Sequence, residues 1–299
     1  MFFESKDKKI EITELTLLDN LSAYHSVISF ISPAKLYTSE GKISLWNTSG
    51  KIDVCIKSQQ KLDNGMMKVD CTTKSISNVF DSITNGYNGW TTINRLFNKL
   101  GFEYKSDFVS NNTYYSLPQC TLISLFDKLT DCASYANGGG AHFYMQADGV
   151  IYGYDYKLIK SKAKPKVLNA QMINETINLD WLDFTPSQYE LLYWDNNNRF
   201  KRENVIFEKN FGKAVVYLND TTGLFKEVYK QELANTFYNK WFSSHSVIVG
   251  TNEEVKLGEL VNLNNLGNTY IVKGITMAYT ENQSVPSVTL ELISNPNFE

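Results

Sequence analysis

The sequence predicts a mainly β protein with an α+β insert: two small antiparallel β-barrel modules flanking a helix-and-hairpin domain. Three observations carry that prediction. Short runs alternating apolar and polar residues fill residues 1–80 and return through much of 166–299, as half-buried strands require. Between about 81 and 165 the apolar period lengthens to that of an amphipathic helix. The composition, with 18 Tyr and 17 Phe but only 6 Pro, suits sheet over disorder. At 299 residues, 42% hydrophobic and 20% charged, the chain is long enough for two or three domains around a sizeable core.

In the first module, 1–80, Ile10 and Ile12 alternate with Lys9, Glu11 and Thr13. The phase then slips to Leu15 and Leu17, which predicts a bulge or a strand changing faces. Ile52, Val54 and Ile56 alternate with Asp53, Cys55 and Lys57. Asp63-Asn64-Gly65 supplies turn chemistry before the strand Met66-Met67-Lys68-Val69-Asp70.

The insert, 81–165, opens with Ile93, Leu96, Phe97 and Leu100 at i, i+3, i+4 and i+7. Thr91 or Thr92 caps this helix and Gly101 stops it. A second helix begins near Thr121, buries Leu122, Leu125, Phe126 and Leu129, and is expected to reach Ala136. Gly138-Gly139-Gly140 follows as a flexible connection. His142-Phe143-Tyr144-Met145 and Val150-Ile151-Tyr152 flank Asp148-Gly149, a hairpin signal. Lys160-Ser161-Lys162-Ala163-Lys164-Pro165-Lys166 reads as a linker.

The last part, 166–299, is a second β-barrel module with one helix at about 229–242, which carries Leu233, Phe237 and Trp241. Val205-Ile206-Phe207 and Ala214-Val215-Val216-Tyr217-Leu218 flank a turn at Asn210-Phe211-Gly212. Ser246-Val247-Ile248-Val249-Gly250 leads to three terminal strands: Leu257 to Leu263 hinging on Gly258, then Tyr270-Ile271-Val272, then Val288 to Leu292. The last two are joined across Glu281-Asn282-Gln283-Ser284. Two β-rich parts around an α+β insert look like one module duplicated and diverged.

The motifs that carry chemistry elsewhere are weak here. A phosphate loop sits between a strand and a helix N-terminus, whereas the three glycines follow a helix and precede a strand, and no Lys-Ser/Thr follows them. His25, His142 and His245 are widely separated, with no metal-ligand spacing, so no cofactor is expected. Cys55, Cys71, Cys120 and Cys132 are too few and too irregular for a disulfide framework, and read as small core residues. A cysteine hydrolase using Cys120 or Cys132 with His142 lacks an oxyanion-loop signature. The acids Glu253-Glu254 and Asp180 with Asp183 do not by themselves make a glycosidase. Trp181, Trp194, Tyr189 and Tyr193 form an aromatic-rich region that either anchors a core or stacks on sugar rings. They support the alternative reading, a carbohydrate- or receptor-binding module.

A net charge of −3 argues against tight duplex binding, which needs a basic excess. Met1-Phe2-Phe3 runs at once into Glu4-Ser5-Lys6-Asp7-Lys8-Lys9 without a secretory pattern. No apolar run is long enough to span a bilayer. The expected setting is therefore a cytoplasm, with no membrane partner.

The terminal order of helix, strand, glycine turn, strand and hairpin resembles the closing barrel of the phage baseplate hub family and of its type VI secretion relative, VgrG. Ile12 to Leu21 resembles the start of that family's first barrel. Ser116-Leu117-Pro118 to Tyr154 resembles its helix-and-hairpin insert, and Val255-Lys256-Leu257-Gly258 its Leu-x-x-Gly approach to the last barrel. Tyr270, Val272 and Leu290 fall in its last hairpin. The resemblance implies a structural protein without catalytic residues, assembled in the host cytoplasm into the virion as a homotrimer. Two barrels per chain give a pseudo-sixfold ring, which docks on the tail tube protein ring and seats the central spike or tail-tip protein among other baseplate proteins. Genome DNA would pass through without specific binding. In that reading Gly258, Tyr270, Val272 and Leu290 form the structural turn and terminal hairpin.

Overall fold

A computed structural model describes residues 1–6, 8–45, 51–80, 82–178, 185–195, 197–208, 212–218, 224–264, 267–281 and 285–295. The chain opens with seven strands: β1 (Phe2–Ser5), β2 (Lys8–Glu11), β3 (Glu14–Asn20), β4 (Val27–Ser32), β5 (Glu40–Ser44), β6 (Lys51–Lys61) and β7 (Met67–Thr73). They pair antiparallel in the order β3-β4-β7-β6-β5-β1-β2. The sheet curls around Phe3, Leu15, Phe30, Ile43, Val54 and Val69, all buried in one core. The Phe3 and Phe30 rings stack across it with centroids 5.4 Å apart. The phase slip near Ile12 is a break between two strands: β2 stops at Glu11, β3 starts at Glu14, and buried Ile12 donates its N–H to the Met1 carbonyl at 3.0 Å.

The insert holds α1 (Lys74–Phe80), β8 (Ile83–Thr84), β9 (Tyr87–Thr91), α2 (Ile93–Lys99), β10 (Tyr104–Lys105), β11 (Thr113–Leu117), β12 (Cys120–Thr121), α3 (Leu122–Cys132), β13 (Ala141–Met145), β14 (Ile151–Asp155) and α4 (Tyr156–Lys162). The predicted apolar faces of α2 and α3 meet over β13 and β14 in a core with Phe97, Phe126 and Phe143. Thr121 caps α3 by accepting the Ser124 N–H; Thr92 makes no such bond, and the Ile93 N–H goes to Ser110 Oγ instead. α3 ends at Cys132, short of Ala136, because Ala133 turns to extended backbone and carries Tyr135 into the core. Asp148-Gly149 does form the hairpin turn, with Gly149 at φ +88°. Much of the expected linker is ordered: Lys160 and Lys162 lie in α4 and Lys166 begins the next strand.

The last part contains β15 (Lys166–Leu168), β16 (Gln171–Ile177), β17 (Gln188–Trp194), β18 (Phe200–Ile206), β19 (Lys213–Leu218), α5 (Leu224–Phe242), β20 (His245–Thr251), β21 (Leu260–Leu263), β22 (Thr269–Thr280) and β23 (Ser287–Ser294). β18 and β19 do not pair with each other; β17 lies between them, antiparallel to β18 and parallel to β19. The residues Asn210 and Phe211 of the expected turn lie outside the described residues. α5 is longer than the sequence pattern indicated and buries Phe237, Tyr238 and Phe242 between the insert and the last sheet. Gly139 is a packing position rather than a loose joint: a Cβ there would lie 2.2 Å from the Tyr238 ring. Asn235, fully buried on α5, donates to the carbonyls of Asp131 (2.8 Å) and Ala133 (3.0 Å), satisfying the C-terminal end of α3.

The fold is thus mainly β with an α+β insert. Its last sheet runs β16-β20-β23-β22-β21-β15 around Val247, Val249, Tyr270, Val272, Leu290 and Leu292. That order repeats the first module, with β16, β20, β21, β22 and β23 standing where β3, β4, β5, β6 and β7 stand. Both β6 and β22 are bulged against their long hairpin partner, at Lys57 and at Lys273. Just after each bulge, Ser58 faces Asp70 and Gly274 faces Glu291. The two differ in three respects: β1 runs antiparallel to β5, whereas β15 runs parallel to β21; β16 is bulged against β20 at Ile173, whereas β3 pairs with β4 without a shift; and β2 has no counterpart beyond β15 among the described residues. Among the described residues no strand pairing closes either sheet on itself.

Candidate functional site

The candidate site is the seam that joins the two curled sheets into one of 13 strands. β22 outlasts its neighbour β21, and its projecting half pairs antiparallel with β3, from Gly274↔Asn20 to Thr280↔Glu14. Backbone pairing of this kind welds two modules without requiring a large apolar interface. Side chains reinforce it. Asn20 Nδ2 donates to Glu291 Oε2 at 2.7 Å, and Lys273 Nζ sits 2.9 Å from Glu291 Oε1. Tyr279 crosses from the second module to pack on the core of the first.

The insert is tied to the same strand. Tyr144 and Ser26 each donate to Asp19 Oδ1 at 2.6 Å. Burial, then the Asp19 charge, pushes the Tyr144 phenol well up, so it stays a donor. Two other buried groups have displaced protonation. Burial raises the Asp155 carboxyl to about 7, although it accepts the N–H groups of Leu158 and Gly139. Burial, assisted by Lys273, pulls His142 down to about 4; its ring nitrogens are screened from solvent and the ring leans on Tyr156, centroids 4.6 Å apart.

The structure brings three of the four residues singled out in the sequence into one core. Tyr270, Val272 and Leu290 are each fully buried there. Gly258 lies at the margin, with φ +73°; its N–H donates to the Val272 carbonyl at 2.8 Å, and a Cβ would fall 2.5 Å from Tyr154. The turn takes up Leu257 and Gly258, so the following strand begins only at Leu260. Sequence reasoning missed the seam residues Asn20, Lys273 and Tyr279. The length of the apolar run in β22 is a signal for Lys273 and Tyr279, and nothing in the sequence pattern marks Asn20.

Among the described residues, the aromatic side chains of β17 do not share one face. Alternation along β17 puts Tyr189 and Tyr193 on one face and Trp194 on the other, where it meets Phe200 edge-on. Trp181, Asp180 and Asp183 lie outside the described residues. Cys120 lies in β12, ahead of α3, and Cys132 is the last residue of α3; burial raises the Cys132 thiol to about 12, the reverse of an activated nucleophile. Among the described residues no cluster of His, Cys, Asp and Glu could hold a metal ion, and no helix is long and apolar enough to cross a membrane.

No protein-family model and no curated protein sequence matches the chain. Solved structures do. A tail protein from Neisseria meningitidis superposes with a TM-score of 0.61 at 12% identity, covering 98% of this chain and 95% of that one. The 43 kDa tail protein of prophage MuSo2 from Shewanella oneidensis gives 0.60 at 9% identity, with 99% of each chain covered. A type VI secretion system component of E. coli, itself described as structurally similar to the T4 bacteriophage tail proteins gp27 and gp5, gives 0.52 at 10% identity over 99% of this chain and 76% of that one. The two-module sheet with its α+β insert is therefore the fold these tail and secretion proteins share, and the resemblance read from the sequence extends to the whole chain.

Proposed function

We propose that this chain is a structural hub protein of a bacteriophage tail or baseplate. Three copies form a ring with near-sixfold symmetry that joins the tail tube to the central spike or tail-tip protein and surrounds the DNA channel. The observation that carries this reading is the repeated strand order within one polypeptide. Two equivalent modules per chain let three chains present six similar units to a sixfold tube while keeping a threefold face for a spike, which resolves a mismatch between stacked rings. The shared fold supports the tail assignment, and a net charge of −3 suits a wall past which DNA slides unbound. In this reading the protein works by geometry alone, without a catalytic step or a cofactor. Gly258 holds the turn that sets the terminal hairpin, while Tyr270, Val272 and Leu290 hold that hairpin rigid. Sedimentation of the purified chain should give a particle of three times 34.1 kDa. A persistent monomer at micromolar concentration would overturn the proposal.

A further inference from the structure

The internal seam has an unfilled counterpart. β22 uses the half beyond its bulge to pair with β3, on the side not occupied by β23. Its equivalent, β6, pairs with β5 only from Lys51 to Cys55, and no strand among the described residues pairs with Ser58–Lys61 on that side. The equivalent of β3 is β16, which pairs with β20 on one side and ends the sheet on the other. Every residue of β16 is exposed, including Met172 (51%), Ile173 (61%) and Ile177 (55%). Glu175 is the one charged side chain on a strand whose free edge a solitary protein would guard. Met172 occupies the position of Leu15, which is fully buried in a core that Tyr279 covers from across the internal seam. Nothing performs that service for Met172 within the chain's described residues.

We propose that the free edge of β16 pairs with Ser58–Lys61 of β6 in a second copy of this chain, reproducing the internal seam between molecules. This rests on the ring reading and names its joint. Transferring the register of Gly274↔Asn20 and its successors by strand equivalence puts Ser58 opposite Asn178, Gln59 opposite Ile177, Gln60 opposite Thr176 and Lys61 opposite Glu175. The polar chemistry carries over as well. Asn178 stands where Asn20 stands and Asp70 where Glu291 stands, so the amide-to-carboxylate pairing of the internal seam has its residue types in place. Lys61 and Glu175 add opposite charges directly across the new pair. The joint is head-to-tail, since different edges meet, and each copy offers one of each; it therefore propagates around a ring.

The test is the double variant Gln60→Cys with Thr176→Cys, oxidised at a concentration where the native chain is oligomeric and run on denaturing gels. Opposed strand positions lie within disulfide reach, so covalent dimers and closed trimers are expected. Neither single variant, nor Gln60→Cys paired with Gln171→Cys, should give them. Lys61→Glu should weaken the oligomer without lowering the monomer's melting temperature. An oligomer of three chains that yields no crosslink and ignores Lys61→Glu overturns this joint and leaves the ring standing. A chain that never associates overturns both.

Discussion

Gly258 carries a positive φ and has Tyr154 where a Cβ would go. Gly258→Val is therefore expected to lose about 1–3 kcal/mol through backbone strain alone, with further loss from the clash, as a lowered denaturation midpoint; unchanged stability and assembly would mean the turn tolerates a branched side chain. His142 gives a pH signature. Its folded-state value of about 4 lies below the ordinary 6.5, so its neutral burial contributes stability above pH 6.5 that is lost as pH falls toward 4. His142→Phe should remove that loss, up to about 3 kcal/mol of the difference between pH 7 and pH 4, measured by denaturant unfolding at each pH. Asp155 acts in the opposite sense: its raised value favours the protein at low pH and withdraws that support as pH rises toward about 7. Over this range the two contributions oppose each other in the parent, so the variant, left with Asp155 alone, should gain stability as pH falls from 7 toward 4 while the parent changes less. The glycine was legible because turn chemistry is local. His142 was not, since Lys273, which helps displace it, comes from β22, remote in sequence; Asp155 has local partners in Gly139 and Leu158, but its burial was not visible in the sequence.

Elements with a full period read correctly from the sequence: α2, α3, β6 and the β13–β14 hairpin all stand where alternation or helical spacing put them. α1 and α4 are as short as α2 but escaped notice: α4 lacks the apolar run at i, i+3, i+4 and i+7 that Ile93, Leu96, Phe97 and Leu100 give α2, and the similar spacing of Ile76, Val79 and Phe80 in α1 has no glycine stop like Gly101 behind it. The runs at 205–207 and 214–218 suggested a hairpin because period does not reveal a third strand slipping between two others. The bulge in β22 lets both halves of one strand keep their apolar faces inward while the second half reaches β3. Deleting Lys273 should shift one half by a residue and turn its side chains to the wrong face, collapsing the melting transition. Lys273→Ala keeps the register and removes the partly exposed ion pair with Glu291 together with a charge near His142, so at neutral pH its cost should be about 1 kcal/mol, far below that of the deletion. Equal effects for the two would show that the bulge is incidental.

At the scale of the molecule, duplication was visible in the sequence only as two β-rich stretches around an insert. The modules have kept strand order and bulge position while their side chains diverged, leaving the pairs Lys57 and Lys273, Asp70 and Glu291, and Asn20 and Asn178 as traces. Backbone geometry outlasts sequence here because curled sheets accept many apolar fillings at similar volume. The consequence is mechanical. One seam within the chain and one between chains would make successive modules nearly equivalent around an axis. An averaged end-on image of the purified oligomer reads this directly. Six similar densities around a central opening, grouped as three pairs on the opposite face, are the expected result; three unpaired densities, or a particle with no opening, would contradict it.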